Sequence, residues 1–104
     1  MIAVIYRWRI HPGHEAVFAT AWRQVTDAIY AHCGSHGSCL HQAADGTMVA
    51  YARWPSEAAR TACFAAAIPG VDAARAQMRQ AIAESFPEQV LPVFDDALAL
   101  PQPR

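Results

Sequence analysis

Three segments near the start of this chain read as β-strands, and their side chains are apolar or aromatic at both odd and even positions. No other feature constrains the fold as much. Ile2–Ile10 sets the pattern: Val4, Tyr6, Trp8 and Ile10 alternate with Ala3, Ile5, Arg7 and Arg9, so neighbouring side chains project to opposite faces of a sheet. Ser35–Gln42 and Thr47–Trp54 continue it, joined across Ala44-Asp45-Gly46, an Asp-Gly hairpin signal. Both faces of such a sheet need cover.

The segments between supply cover for one face. His11-Pro12-Gly13 breaks the first strand, because proline donates no backbone hydrogen bond and glycine permits a sharp turn. From His14 to about His32 the spacing turns helical, with Phe18, Ala21, Trp22, Val25, Ala28 and Ile29 on one stripe. Gly34 is placed to end that helix in a left-handed conformation. Pro55 stops the third strand, and Ser56-Glu57 opens an alanine-rich helix to about Ala67. After Ile68-Pro69-Gly70 a further helix is expected from Val71 to about Ser85, with Val71, Ala74, Met78, Ala81 and Ile82 on its stripe. Gln89–Phe94 reads as a last strand that Pro92 confines to an edge or a bulge, and Leu98-Ala99-Leu100 as a short extension. The order β-α-β-β-α-(α)-β is the split βαβ pattern of a ferredoxin-like α+β sandwich. It is expected as a single domain over residues 1–104, with an extended tail from about residue 95. Helices cover one face of that sheet, and a second copy of the chain is the expected cover for the other. The expected assembly is thus a homodimer packed sheet to sheet as an α/β barrel. An apolar share of 54% beside only 16% charged residues agrees, since so little charge leaves apolar area outside the monomer core.

A net charge of −1 argues against a nucleic-acid or anionic-membrane surface. No apolar run approaches the ~20 residues of a membrane span, and Met1–Tyr6 lacks the pattern of a signal peptide. The expected compartment is the cytoplasm, where Cys33, Cys39 and Cys63 would stand reduced. Three cysteines cannot all be paired within one chain.

The segment Val4-Ile5-Tyr6-Arg7-Trp8-Arg9-Ile10-His11-Pro12-Gly13-His14-Glu15 resembles the opening of the antibiotic-biosynthesis monooxygenase family: a strand, a Pro-Gly turn, and a helix that begins with a carboxylate. Gly34 and Gly37 sit where that family has its Gly-x-x-Gly. Tyr51-Ala52-Arg53-Trp54-Pro55-Ser56-Glu57-Ala58-Ala59 is similar to its Tyr-Glu-x-Trp and the short Glu/Ala-rich helix that follows. The likeness covers most of residues 2–66, and beyond them it extends to the order of elements. It implies a dimeric α/β barrel and oxidation of a phenol, quinol or similar aromatic without metal or flavin. Many relatives carry histidine nine residues after the tryptophan, where this chain has Cys63. Relatives that degrade heme pair it with an asparagine on the first strand, and this chain contains no asparagine. The resemblance therefore does not extend to heme degradation, and heme binding is the least favoured expectation.

An oxygenase without a cofactor must favour the substrate anion, enclose it, and place it beside dioxygen. That chemistry calls for an apolar, aromatic-lined pocket with one or two polar groups. The resemblance puts Trp54 at a cavity between sheet and helices, where it is either a pocket wall or a packed core aromatic. Tyr6 and Trp8 share a strand face; the Tyr6 hydroxyl is a candidate to bond a substrate oxygen, and Trp8 either lines the pocket or fills the dimer barrel. Cys63 and Phe64, on the short helix, are further candidates to line it, Cys63 as a small hydrophobe. A closed, mostly apolar cavity touching Trp54, Tyr6 and Cys63 is expected. Arg7, Arg9 and Arg53 fall on the opposite parity and are expected to meet carboxylates across the dimer interface.

His32-Cys33-Gly34-Ser35-His36-Gly37-Ser38-Cys39-Leu40-His41 holds the residue types of a zinc site. It has no Cys-x-x-Cys or His-x-x-x-His pair, and strand alternation separates His36 from Cys39 and His41, so no metal is expected. His41 or His36 is instead a candidate general base, since an imidazole titrates near neutral pH, the alternative for either being a solvated or interface histidine. The leading expectation is a monooxygenase for an electron-rich aromatic with no cofactor; the alternative is a non-catalytic dimeric protein that shelters a hydrophobic metabolite.

Overall fold

The computed structural model describes residues 1–99. Strand β1 (Ile2–Ile10) leads into α1 (Glu15–Cys33), β2 (Ser38–Gln42), β3 (Met48–Trp54), α2 (Glu57–Ala65), α3 (Asp72–Ala81), β4 (Ile82–Ser85) and β5 (Gln89–Pro92). Local chemistry sets the joints. Gly34 caps α1 at φ 66°, a backbone that side chains with a Cβ resist. The Ser56 hydroxyl accepts from Ala59 N at 3.0 Å and opens α2. In the β2–β3 turn, Asp45 accepts from Thr47 N at 2.9 Å beside Gly46 at φ 88°.

Strand β1 is central. One edge pairs antiparallel with β3, from Ile2 opposite Trp54 to Trp8 opposite Met48. The other edge is shared: β5 takes Ile2–Ile5 and β4 takes Trp8–Ile10. With β2 outside β3, the sheet runs β2-β3-β1-β4, and β5 continues the path of β4. This is the ferredoxin-like α+β arrangement, with its final strand broken in two.

That break corrects one expectation. The helix expected to reach Ser85 ends at Ala81, and Ile82–Ser85 is strand. Phe86 precedes Pro87, which disfavours helical backbone there. A helix through Ser85 would also leave the Trp8–Ile10 edge of β1 without its hydrogen-bonding partner. Ile82 is apolar in either state, so the helical stripe did not reveal the change. The last strand ends at Pro92, on a sheet edge. Leu98 and Ala99 add no strand, and Leu100 and the rest of the tail to Arg104 lie outside the described residues.

Even-numbered residues of β1 and β3 face the helices. Ile2, Val4 and Trp54 pack with Cys63, Ile68 and Val71, and Ile10 and Met48 pack with Phe18 and Ala81. The odd-numbered face carries half-buried Ile5, Val49 and Tyr51, exposed Cys39 and His41, and Leu91 at 45% exposure. Among the described residues no helix covers that face.

The expectation that all three cysteines stand reduced is corrected. The C-terminal end of α1 meets α2, the Cα atoms of Cys33 and Cys63 lie 5.5 Å apart, and a disulfide joins them. Cys39 remains a free, exposed thiol.

Candidate functional site

Small residues make a hollow in the helix-facing side of the sheet, and large aromatics wall it. Ala52 on β3 stands opposite Ser38 on β2 and Val4 on β1, and Gly37 and Ser38 extend the low ground. Around them stand Tyr6 and Trp8 from β1 and Trp54 from the end of β3. The helices roof the space with regular stripes: Trp22, Val25, Thr26 and Ile29 from α1, and Arg75, Met78, Arg79 and, just beyond α3, Ile82. Each stripe follows the i, i+3, i+4, i+7 spacing of one helix face. Phe64 of α2 and Ser35 complete a cavity of about 380 Å³, within the range of small-molecule sites.

All three tryptophans of the chain line it. Trp54 is 2% exposed and meets Phe64 edge-on at 5.7 Å between ring centroids. Tyr6 and Trp8 lie parallel at 5.7 Å, and Trp8 meets Phe18 edge-on at 5.2 Å. These contacts fix the ring planes, so the walls are formed before any ligand arrives.

Tyr6 carries the cavity's best-defined polar group. Its hydroxyl oxygen accepts from Arg60 Nε at 3.2 Å, and the same guanidinium pairs with Glu88 and stacks over the Phe64 ring at 5.0 Å. The Arg60 side chain is only 11% exposed, while Glu88 at 44% meets solvent, so the sheltered part of this pair is the guanidinium. Burial raises the Tyr6 pKa above that of a free phenol, against the opposing pull of Arg60. The phenol is therefore protonated at neutral pH. With Arg60 donating to one acceptor site of the oxygen, the hydroxyl keeps its own proton for donation elsewhere.

The structure brings Tyr6, Trp8, Trp54 and Phe64 together at one cavity. Two expected site residues stand elsewhere. His41 pairs opposite Val49 on the uncovered face, with Nδ1 3.1 Å from Val49 O. Tyr6 and Trp54 face the helices, so His41 is on the wrong side of the sheet to act as their base. Cys63 is buried beneath the wall in its disulfide and does not line the cavity. Nor is the cavity closed: Phe64, 46% exposed, and exposed Arg79 stand at its rim.

Sequence reasoning missed Trp22, Arg60, Arg75 and Arg79 as site residues. Trp22 was visible on the α1 stripe, and the 75-78-79-82 spacing was available once α3 was placed. The Arg60–Tyr6 contact joins residues 54 apart and left no local signal. On the other face, Arg53 meets Asp96 of its own chain at 2.7 Å and Arg9 meets Glu84 at 3.0 Å, so carboxylates expected from a partner are supplied in cis. Among the described residues, no group of three or more His, Cys, Asp or Glu side chains is placed to hold a metal ion.

Comparison with known proteins follows the same lines. The sequence model of a family described as antibiotic biosynthesis monooxygenase matches residues 1–67. No curated protein matches the chain in sequence. Among solved structures, Rv0793 from Mycobacterium tuberculosis superposes with a TM-score of 0.74 at 23% identity, covering 93% of this chain and 98% of that one. SnoaB, a cofactor-independent oxygenase from Streptomyces nogalater, superposes with a TM-score of 0.75 at 16% identity, covering 92% of this chain and 95% of that one. At these identities the likeness is one of fold.

Proposed function

This chain belongs to the antibiotic biosynthesis monooxygenase family, and from that premise we propose that it oxidises an electron-rich phenol or quinol in the helix-side cavity without metal or flavin. The observation that carries the proposal is the cavity itself: about 380 Å³, walled by Trp8, Trp22, Trp54 and Phe64, with Tyr6, whose hydroxyl Arg60 holds, among its lining. Flat aromatic walls suit a flat aromatic ligand. The name of SnoaB as a cofactor-independent oxygenase lends support at the level of a shared fold.

The overall reaction balances without a further reductant. A phenol with a free para position reacts with O₂; its hydroxyl and one ring C–H become the two carbonyls of a quinone. The ring gives up four electrons and O₂ accepts them, with one oxygen atom entering the product and the other leaving as water with the two hydrogens. The protein's part is to favour the phenolate, exclude water and hold the ring in place. Tyr6 donates to the substrate oxygen and stabilises its developing charge. Arg60 positions Tyr6, and Trp54, Trp8 and Phe64 hold the ring.

The working unit we propose is a homodimer. Ile5, Val49, Tyr51 and Leu91 on the uncovered sheet face are apolar surface that a second copy would bury.

One observation favours a second reading. Among the described residues lining the cavity there is no His, Asp or Glu to remove a proton, which suits a non-catalytic protein that shelters a hydrophobic metabolite. An oxygen electrode separates the two. With 1-naphthol in the presence of a chelator, the oxygenase reading predicts uptake of one O₂ per quinone formed, lowered in Trp54→Phe and lost in Tyr6→Phe. Saturable binding of naphthol analogues with no uptake across a panel of phenols would leave the sheltering reading in its place.

A further inference from the structure

Of the arginines among the described residues, four have carboxylate partners in cis: Arg9 with Glu84, Arg23 with Asp27, Arg53 with Asp96 and Arg60 with Glu88. Arg7 lies over the Phe86 ring at 4.9 Å. Arg75 and Arg79 differ. Among the described residues neither has an ion pair or a side-chain hydrogen bond, and both line the cavity. They stand one helical turn apart on α3, on the stripe that Met78 and Ile82 share, where side chains are neighbours about 5–6 Å apart at Cβ. No carboxylate lines the cavity among the described residues. Two cations thus border an apolar space that contains no anion.

Resting on the reading of this cavity as an aromatic site, we propose that its ligand is an aromatic acid whose carboxylate is held by Arg75 and Arg79. The arginines come from the roof, and Tyr6 and Ala52 from the floor. A ligand that reaches both carries its acid at the helix end and its oxidisable hydroxyl at the sheet end. A carboxylate suits this pair because a guanidinium presents planar, paired donors to a planar, paired acceptor. The aromatic walls lower the local dielectric, so the attraction exceeds that of the same groups in open water. The arrangement also sets polarity: the acid enters last, beside exposed Arg79 at the rim, and keeps part of its hydration until it docks. Neutral aromatics of the same shape fill the walls and leave both cations unpaired, so the pair selects against them.

Calorimetric titration with 2-naphthoate and 2-naphthamide tests this, since the two probes share a ring and differ in charge. The proposal expects the naphthoate to bind at least about tenfold more tightly at low salt, with an advantage that shrinks as salt rises. In Arg75→Gln/Arg79→Gln the ratio of the two affinities falls to about one and no longer depends on salt. Glutamine keeps good helix propensity, so α3 is retained. Equal affinity of the two probes, or an advantage that survives in the double variant, overturns the acid-binding pair and leaves the aromatic cavity standing. Failure of both probes to bind overturns the cavity reading and this proposal with it.

Discussion

Replacing Trp54 by alanine separates its two roles, as a wall of the cavity and as part of the core. The ring is 2% exposed and packs with Ile2, Val4, Cys63, Ile68 and Val71. Truncating a buried tryptophan costs roughly 3–5 kcal/mol, rising with the void left behind. Here the ring borders the cavity, so the vacated space merges with that cavity and creates no sealed void. The cost should fall near the lower end, about 3 kcal/mol, against a total of about 5–15 kcal/mol for a domain this size. Urea unfolding followed by circular dichroism should therefore show a midpoint lowered by roughly 1–3 M with an unchanged slope. Under conditions where the variant stays folded, calorimetry with 1-naphthol should show affinity reduced about tenfold or more, since the flat wall and its aromatic contact are gone. Trp54→Phe should restore most of the stability and only part of the binding. If Trp54→Ala destabilises as expected but binds naphthol with unchanged affinity, Trp54 is core alone and the wall assignment is wrong.

Other consequences are measurable in the same way. Because burial raises the folded-state pKa of Tyr6 against the opposing effect of Arg60, the folded chain holds that proton more firmly than the unfolded one. The stability this contributes is present below the unfolded value near pH 10 and is lost as pH rises through the folded value. Absorbance at 295 nm should show Tyr6 ionising above the range of a free phenol, and later still in Arg60→Gln. Reducing Cys33–Cys63, which closes a loop of 30 residues, should cost about 3.5 kcal/mol and lower the melting temperature by more than about 10 °C. A Cys33→Ala/Cys63→Ala protein should not respond to reductant. Light scattering should give twice the 11.3 kDa chain mass, consistent with an interface of at least ~1,200 Å². Tyr51→Glu on the uncovered sheet face should shift the mass toward that of one chain.

What the sequence disclosed and what it hid divide along contact range. Alternation in Ile2–Ile10, the Asp45-Gly46 turn and the Gly34 cap are local, and each is found where the residues placed it. Ile82–Ser85 was opaque because its strand state depends on pairing with Trp8–Ile10, more than seventy residues away, while its apolar residue continues a helical stripe. The shared face of Tyr6 and Trp54 was permitted by parity but required the register that sets Ile2 opposite Trp54. The same register sends His41 to the other side. Cys63 was sought as a wall because it is small and apolar, and the approach of Cys33, thirty residues earlier, was invisible. Arg75 and Arg79 lay in a helix whose stripe was read from its apolar residues alone.

The central claim is that the aromatic cavity turns over its ligand with dioxygen, and isotope tracing tests it most directly. The protein, treated with chelator, is incubated with a hydroxynaphthoic acid under ¹⁸O₂, and the product is read by mass spectrometry. The account predicts a quinone bearing one ¹⁸O atom per molecule formed, the other labelled atom in water, and loss of the labelled product in Tyr6→Phe. A ligand recovered unlabelled and unchanged, although calorimetry shows it bound in the cavity, would contradict oxygenase function and leave a binding protein.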